Sequence, residues 1–103
     1  VTNRRPRVVS NKTTIEWYGR GQDIGIVRVH LKPFAGYDKY SWSVTIEDHG
    51  NGVATVHGST TVPTPEEKQE ALEAGRKAGF REVLWERAPR PGRPPKFVRL
   101  TLN

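Results

Sequence analysis

The chain has 103 residues, a formal charge of +6, 34% hydrophobic and 27% charged residues, and no cysteine. That length supports one domain with a single modest core. The missing thiols exclude disulfide scaffolds, thiolate metal sites and cysteine nucleophiles, and fit a cytoplasmic protein. No apolar run approaches the roughly 18 residues of a membrane span, so no membrane partner is expected, and no basic-then-apolar leader opens the sequence.

The charge is concentrated at the ends. Arg4, Arg5, Arg7 and Lys12 give residues 1–12 a charge of +4 with no acid, and Arg90, Arg93, Lys96 and Arg99 give 88–103 another +4. The segment between them carries −2. Uncompensated like charge repels itself, stays solvated and attracts polyanions, so the pattern reads as a near-neutral body with two basic ends.

Residues 1–12, with Pro6 among the cations, are read as a basic flexible arm whose end can pair through Val8 and Val9. Residues 13–103 are read as one domain. Thr13–Tyr18 alternates with Ile15 and Trp17 on one face, which predicts a strand. Residues 24–31 predict a second strand; Ile24 and Ile26 lie on the opposite parity from Val27, Val29 and Leu31, so a bulge is expected near Gly25–Val27. Tyr40, Trp42, Val44 and Ile46 then alternate with Ser41, Ser43, Thr45 and Glu47. With Asn51-Gly52 following and 53–62 returning, residues 40–62 predict an antiparallel hairpin. Thr64-Pro65-Glu66-Glu67 is a complete helix start, and Gly79 a helix stop, giving a helix over about 64–78. Its apolar stripe, Ala71, Leu72, Gly75 and Ala78, is small enough to lie close on a sheet, with Trp42 or Trp85 filling the remaining space. Residues 80–87 and 97–102 predict a second hairpin with a stiff Pro/Arg-rich loop at 88–96.

These elements specify an α+β fold: an antiparallel sheet of about five or six strands with one helix packed on one face. The expected core is Ile15, Trp17, Val27, Val29, Leu31, Tyr40, Trp42, Val44, Ile46, Val56, Ala71, Leu72, Leu84, Val98 and Leu100.

Catalytic patterns are missing from the sequence. His30, His49 and His57 have no close partner at ligand spacing, although His30 and His57 can meet across strands. No nucleophile elbow, phosphate-binding glycine loop or diagnostic acid pair occurs, so neither enzyme activity, nor a cofactor, nor a metal is expected. The stretch 32–42 interleaves Lys32 and Lys39 with Phe34, Tyr37, Tyr40 and Trp42, a pattern suited to stacking bases beside phosphates. Tyr40 and Trp42 are assigned to the inward strand face, which leaves Phe34 and Tyr37 of the loop for stacking.

Two short stretches resemble known families. Gly92-Arg93-Pro94 resembles the centre of AT-hook peptides, which implies an extended, arginine-bearing backbone in the A·T-rich minor groove. Pro91 stands where that family carries its preceding Arg, and the cation is displaced to Arg90. The stretch Pro91–Pro94 also reads as a P-x-x-P ligand in polyproline II form. The order of elements from Trp42 to Ala78 is similar to the three-strand-plus-helix DNA-binding modules of phage-type integrases. Those modules carry cations on the outward sheet face, whereas Ser41, Ser43, Thr45 and Glu47 stand there in this sequence.

The reading favoured by charge is a small nucleic-acid-binding accessory protein, taking DNA or RNA through Arg4, Arg5, Arg7, Lys12, Arg90, Arg93 and Lys96. With about six phosphates contacted, its log–log salt slope on duplex DNA is roughly −5. The alternative is a protein–protein interaction module, an adaptor, inhibitor or assembly factor of phage or mobile-element kind, that uses a sheet edge or the Pro-rich tip.

Overall fold

The computed structural model describes residues 5–33, 39–59, 61–87 and 91–102. Seven strands and one helix follow in the order β1 (Val8–Ser10), β2 (Thr13–Tyr18), β3 (Ile24–His30), β4 (Tyr40–Asp48), β5 (Val53–His57), α1 (Pro65–Lys77), β6 (Glu82–Glu86) and β7 (Phe97–Thr101). The strands lie side by side in chain order in one sheet. Both expected hairpins form, as the antiparallel pairs β4–β5 and β6–β7. The sheet as a whole differs from the expected antiparallel one: it has seven strands and is mixed, because β5 and β6 run parallel. The helix is the physical cause. A strand–helix–strand passage carries the chain back to the end at which it started, so the strand after α1 repeats the direction of the strand before it.

Helix α1 has the ends that its sequence requires. Thr64 Oγ1 accepts from Glu67 N–H at 3.1 Å, and Glu67 Oε1 accepts from Thr64 N–H at 2.8 Å. At the other end Gly79 adopts φ +101°, which lets Phe80 N–H reach back to Gly75 O at 3.1 Å and Gly79 N–H to Arg76 O at 3.0 Å. Phe80 is buried beneath this turn. The helix packs on β1, β2 and β3, with Ala71, Ala74 and Gly75 buried and Gly75 facing Leu102. The indoles of Trp42 and Trp85 are buried and stack, 5.8 Å apart and 9° from parallel, with Lys68 of α1 lying 5.5 Å over the Trp85 ring.

Several expected core positions move. Leu31, 60% exposed, lies beyond the end of β3. Tyr40 is 52% exposed because Val29 pairs with Trp42 while His30 pairs with Tyr40, which makes Ser41 an extra residue and sends the Tyr40 side chain to the opposite face from Trp42. The bulge is therefore at Ser41 and not near Gly25–Val27. Strand β3 is regular there; Ile24 and Ile26 point to the uncovered face, and Gly25 takes the core position. A Cβ on Gly25 would sit 3.0 Å from both Ile46 Cγ2 and Trp17 Cε3, so glycine is what lets those two large side chains meet. In β6 the core side chains are Val83 and Trp85, and Leu84 is only half-buried on the other face. Val98 and Leu100 are likewise half-buried, while Ala54, Ala74, Phe80 and Leu102 join the core.

Candidate functional site at the sheet edges

The basic residues singled out from the sequence divide into three groups. Arg4 and Arg90 lie outside the described residues, as do Phe34 and Tyr37 of the stacking loop. Arg5, Arg7 and Lys12 are turned back onto the protein. Arg5 Nη1 is 2.8 Å from Asp48 Oδ2 and donates to Gln22 O at 3.0 Å, and its guanidinium lies 3.5 Å over the Trp17 ring. Arg7 Nε is 3.1 Å from Glu16 Oε1, and Lys12 Nζ is 3.0 Å from Glu66 Oε1. Arg93 and Lys96 form the third group: both are exposed and make no ion pair among the described residues.

The segment read as an arm thus contributes β1 and a turn that docks on α1. Asn11, in the left-handed region at φ +50°, donates through Nδ2 to Glu70 Oε1 at 2.6 Å. Lys12 N–H and Thr13 Oγ1 donate to Glu70 Oε2 at 3.3 and 3.2 Å. Lys77 Nζ donates to the carbonyl of Val9. In a hairpin closed between Ser10 and Thr13, Val9 is the residue whose backbone groups face away from β2. Lys77 therefore occupies the outward acceptor of a strand only three residues long.

The far edge is built differently. Arg87 N–H donates to Lys96 O at 2.8 Å and Leu102 N–H to Arg81 O at 2.9 Å, at the two ends of the β6–β7 ladder. Antiparallel bonding alternates, so Lys96, Val98, Leu100 and Leu102 turn their backbone groups toward β6. Phe97, Arg99 and Thr101 turn theirs outward. Phe97 is 47% exposed; α1 makes its main contacts with β1, β2 and β3 and meets this end of the sheet through Gly75 beside Leu102 and Lys68 over the Trp85 ring. Arg99 pairs with Glu82 across the ladder and stays largely solvent-facing. Sequence reasoning treated this stretch as a strand and did not single out Phe97 or Thr101; the available signal was a short alternating strand following directly on a proline-rich loop.

The uncovered face of the sheet is close to charge-balanced. Glu16 lies between Arg7 and Arg28, His57 Nε2 is 3.2 Å from Glu47 Oε2, and Arg99 faces Glu82. Cations from neighbouring strands thus stand on the face that the sequence of β4 alone left without one. The three histidines do not converge. His30 shares a buried hydrogen bond with Thr14 Oγ1 at 3.0 Å, His49 meets Thr55 Oγ1 at 2.6 Å, and His57 meets Glu47. Among the described residues no group of three or more His, Asp or Glu is placed to hold a metal ion, and no helix is long and apolar enough to cross a membrane.

A cleft of about 220 Å³ opens where α1 begins, lined by Lys12, His30, Ser41, Thr64, Glu66 and Glu67. Its polar groups satisfy one another: Lys12 with Glu66, and Ser41 Oγ with Glu67 Oε2 at 2.6 Å. Burial pushes the Glu67 carboxyl up, but the hydrogen bonds from Ser41 and Thr64 outweigh it and hold the group below its ordinary 4.5. The cleft is a structural joint between helix and sheet. No protein-family model matches this chain, and neither the curated proteins nor the solved structures contain a significant match.

Proposed function

We propose that this protein is a non-enzymatic interaction module that takes up an extended segment of another protein as an eighth strand along β7. The observation that carries this reading is the row of outward backbone donors and acceptors on Phe97, Arg99 and Thr101, on a five-residue strand that stands last in the sheet with no strand beyond it among the described residues. An open ladder edge is a template for main-chain pairing, which gives affinity, while alternate side chains give selectivity. The test is Arg99→Pro. Because the Arg99 N–H points away from β6, proline there removes an outward donor and spares the β6–β7 ladder. In selection from a displayed library of unstructured peptides, wild type is expected to enrich binders and Arg99→Pro to lose them; equal enrichment rejects strand addition.

A second reading, nucleic-acid binding, keeps one favourable observation: Arg93 and Lys96 project from the tip without an ion pair among the described residues. With Arg5, Arg7 and Lys12 neutralised internally, those two cations support a salt slope of about −2 in place of −5. A slope near −5 that Arg5→Ala and Arg7→Ala reduce restores the arm as a phosphate-binding element.

A further inference from the structure

We infer that the segment taken up along β7 is an acidic one, alternating carboxylates with apolar side chains; this inference rests on the strand-addition reading. Charge and burial on the two faces of the edge select that chemistry. Residues 87–102 contain Arg87, Arg90, Arg93, Lys96 and Arg99 and no acid. Arg87, Arg93 and Lys96 are exposed, and the Arg99 side chain is 73% exposed even while it meets Glu82.

A strand laid beside β7 has one row of side chains next to Phe97, Arg99 and Thr101 and the other next to Lys96, Val98 and Leu100. Opposite charges across a ladder attract and like charges repel, so the position beside Arg99 favours a carboxylate. On the opposite face Val98 and Leu100 are half-buried, and Val98 stands outside the packed core cluster. Apolar side chains placed there extend the core outward and remove the remaining apolar surface from water. Lys96 opens the apolar row at the strand's start, so an acid at the corresponding end of the segment meets it before the apolar side chains begin. A second copy of this chain fits poorly as occupant, because each copy carries +6 and pairing β7 with itself brings the same cations together.

The experiment uses four labelled probes read by fluorescence anisotropy against the full chain. The first peptide alternates Glu with Val and Ile. The second replaces every Glu by Lys, and the third keeps the acidic composition but carries two prolines that forbid a strand. The fourth probe is a duplex oligonucleotide. The Glu peptide is expected to bind on the order of tenfold more tightly than the Lys peptide, with binding lost in the proline peptide. Arg99→Glu combined with Lys96→Glu is expected to reverse the preference. Equal binding of the Glu and Lys peptides, with loss in the proline peptide, overturns the acidic preference and leaves strand addition standing. Equal binding of the Glu and proline peptides, or an oligonucleotide that competes at the same variant-sensitive surface, identifies a patch for polyanions and overturns both. Failure of every peptide also overturns both, and a wild-type dimer that Arg99→Pro dissociates replaces the acidic segment with a second copy. The comparison among wild-type probes decides the matter even if the double variant folds poorly.

Discussion

At β1 the outward carbonyl of Val9 is taken by Lys77, the adjoining turn is held by Glu70, and Arg5 and Arg7 are tied to Asp48 and Glu16. At β7 the outward groups of Phe97, Arg99 and Thr101 have no neighbouring strand, and the nearby Arg93 and Lys96 have no carboxylate among the described residues. The two ends of the chain have the same +4 charge in sequence, and their described cations differ in how many meet a carboxylate. Among the described residues, Arg5, Arg7 and Lys12 at one end are held by carboxylates, whereas at the other Arg99 meets Glu82 and Arg93 and Lys96 stand beside an open edge. Formal charge along a segment therefore does not measure what that segment offers to a partner; the carboxylates folded against it decide.

The contrast can be broken at its centre or at either side. The largest effect is expected from Trp42→Ala, which removes half of the indole stack between the two ends and leaves a cavity. Its cost is about 3–5 kcal/mol, and denaturant unfolding that leaves the midpoint unchanged rejects this core. Glu70→Ala comes next. It deprives Asn11, Lys12 and Thr13 of their shared acceptor, at a cost of about 1–3 kcal/mol, and amide exchange should accelerate in β1 while β7 is unaffected. Uniform acceleration across the sheet contradicts a locally tied edge.

Acid provides a smaller lever. Glu67 joins α1 to β4 through Ser41, and its folded pKa lies below the unfolded value. The stability that it contributes is complete above 4.5 and is lost as pH falls through the lower folded value. Glu67→Gln should flatten that part of the stability–pH curve; coincident wild-type and variant curves remove Glu67 from the account. The smallest change in stability is expected for Arg99→Pro, about 1 kcal/mol or less, because the β6–β7 ladder makes no use of the backbone donor it removes and the side-chain loss is the largely exposed ion pair with Glu82. A loss of several kcal/mol shows instead that the outward groups of β7 are already engaged within the chain.

The parts of this architecture encoded by neighbours in sequence were legible before the structure. The Thr64–Glu67 box, the Gly79 stop and the β4–β5 hairpin each depend on residues a few positions apart, and each forms as read. The misread parts depend on partners distant in the chain. Tyr40 has the parity of a core residue until its pairing with His30 makes Ser41 an insertion. The parity change at Gly25–Val27 reads as a bulge until Trp17 and Ile46 are seen to fill the space over Gly25 from both sides. The parallel β5–β6 pairing did have a marker in the sequence, the strand–helix–strand order that returns the chain to the same end of the sheet, and the expectation of an antiparallel sheet passes over it. At the candidate edge, the cations of 88–103 were visible as charge, but the exposure of the Phe97, Arg99 and Thr101 backbone follows only from β7 being last in the sheet. The N-terminal cations show the reverse: Arg5 looked free because Asp48, its counter-ion, is more than forty residues away.

The near-parallel rings of Trp42 and Trp85 belong to strands that are not adjacent, with β5 between them. Two indoles so close couple their electronic transitions, and with their in-plane transition axes rotated against one another the expected signature is a pair of circular dichroism bands of opposite sign that an isolated tryptophan lacks. The protein thereby carries an optical gauge of whether β6 has joined the sheet. Trp85→Phe should erase the paired bands while the helical signal persists, and in refolding their appearance dates the closure of the single parallel joint.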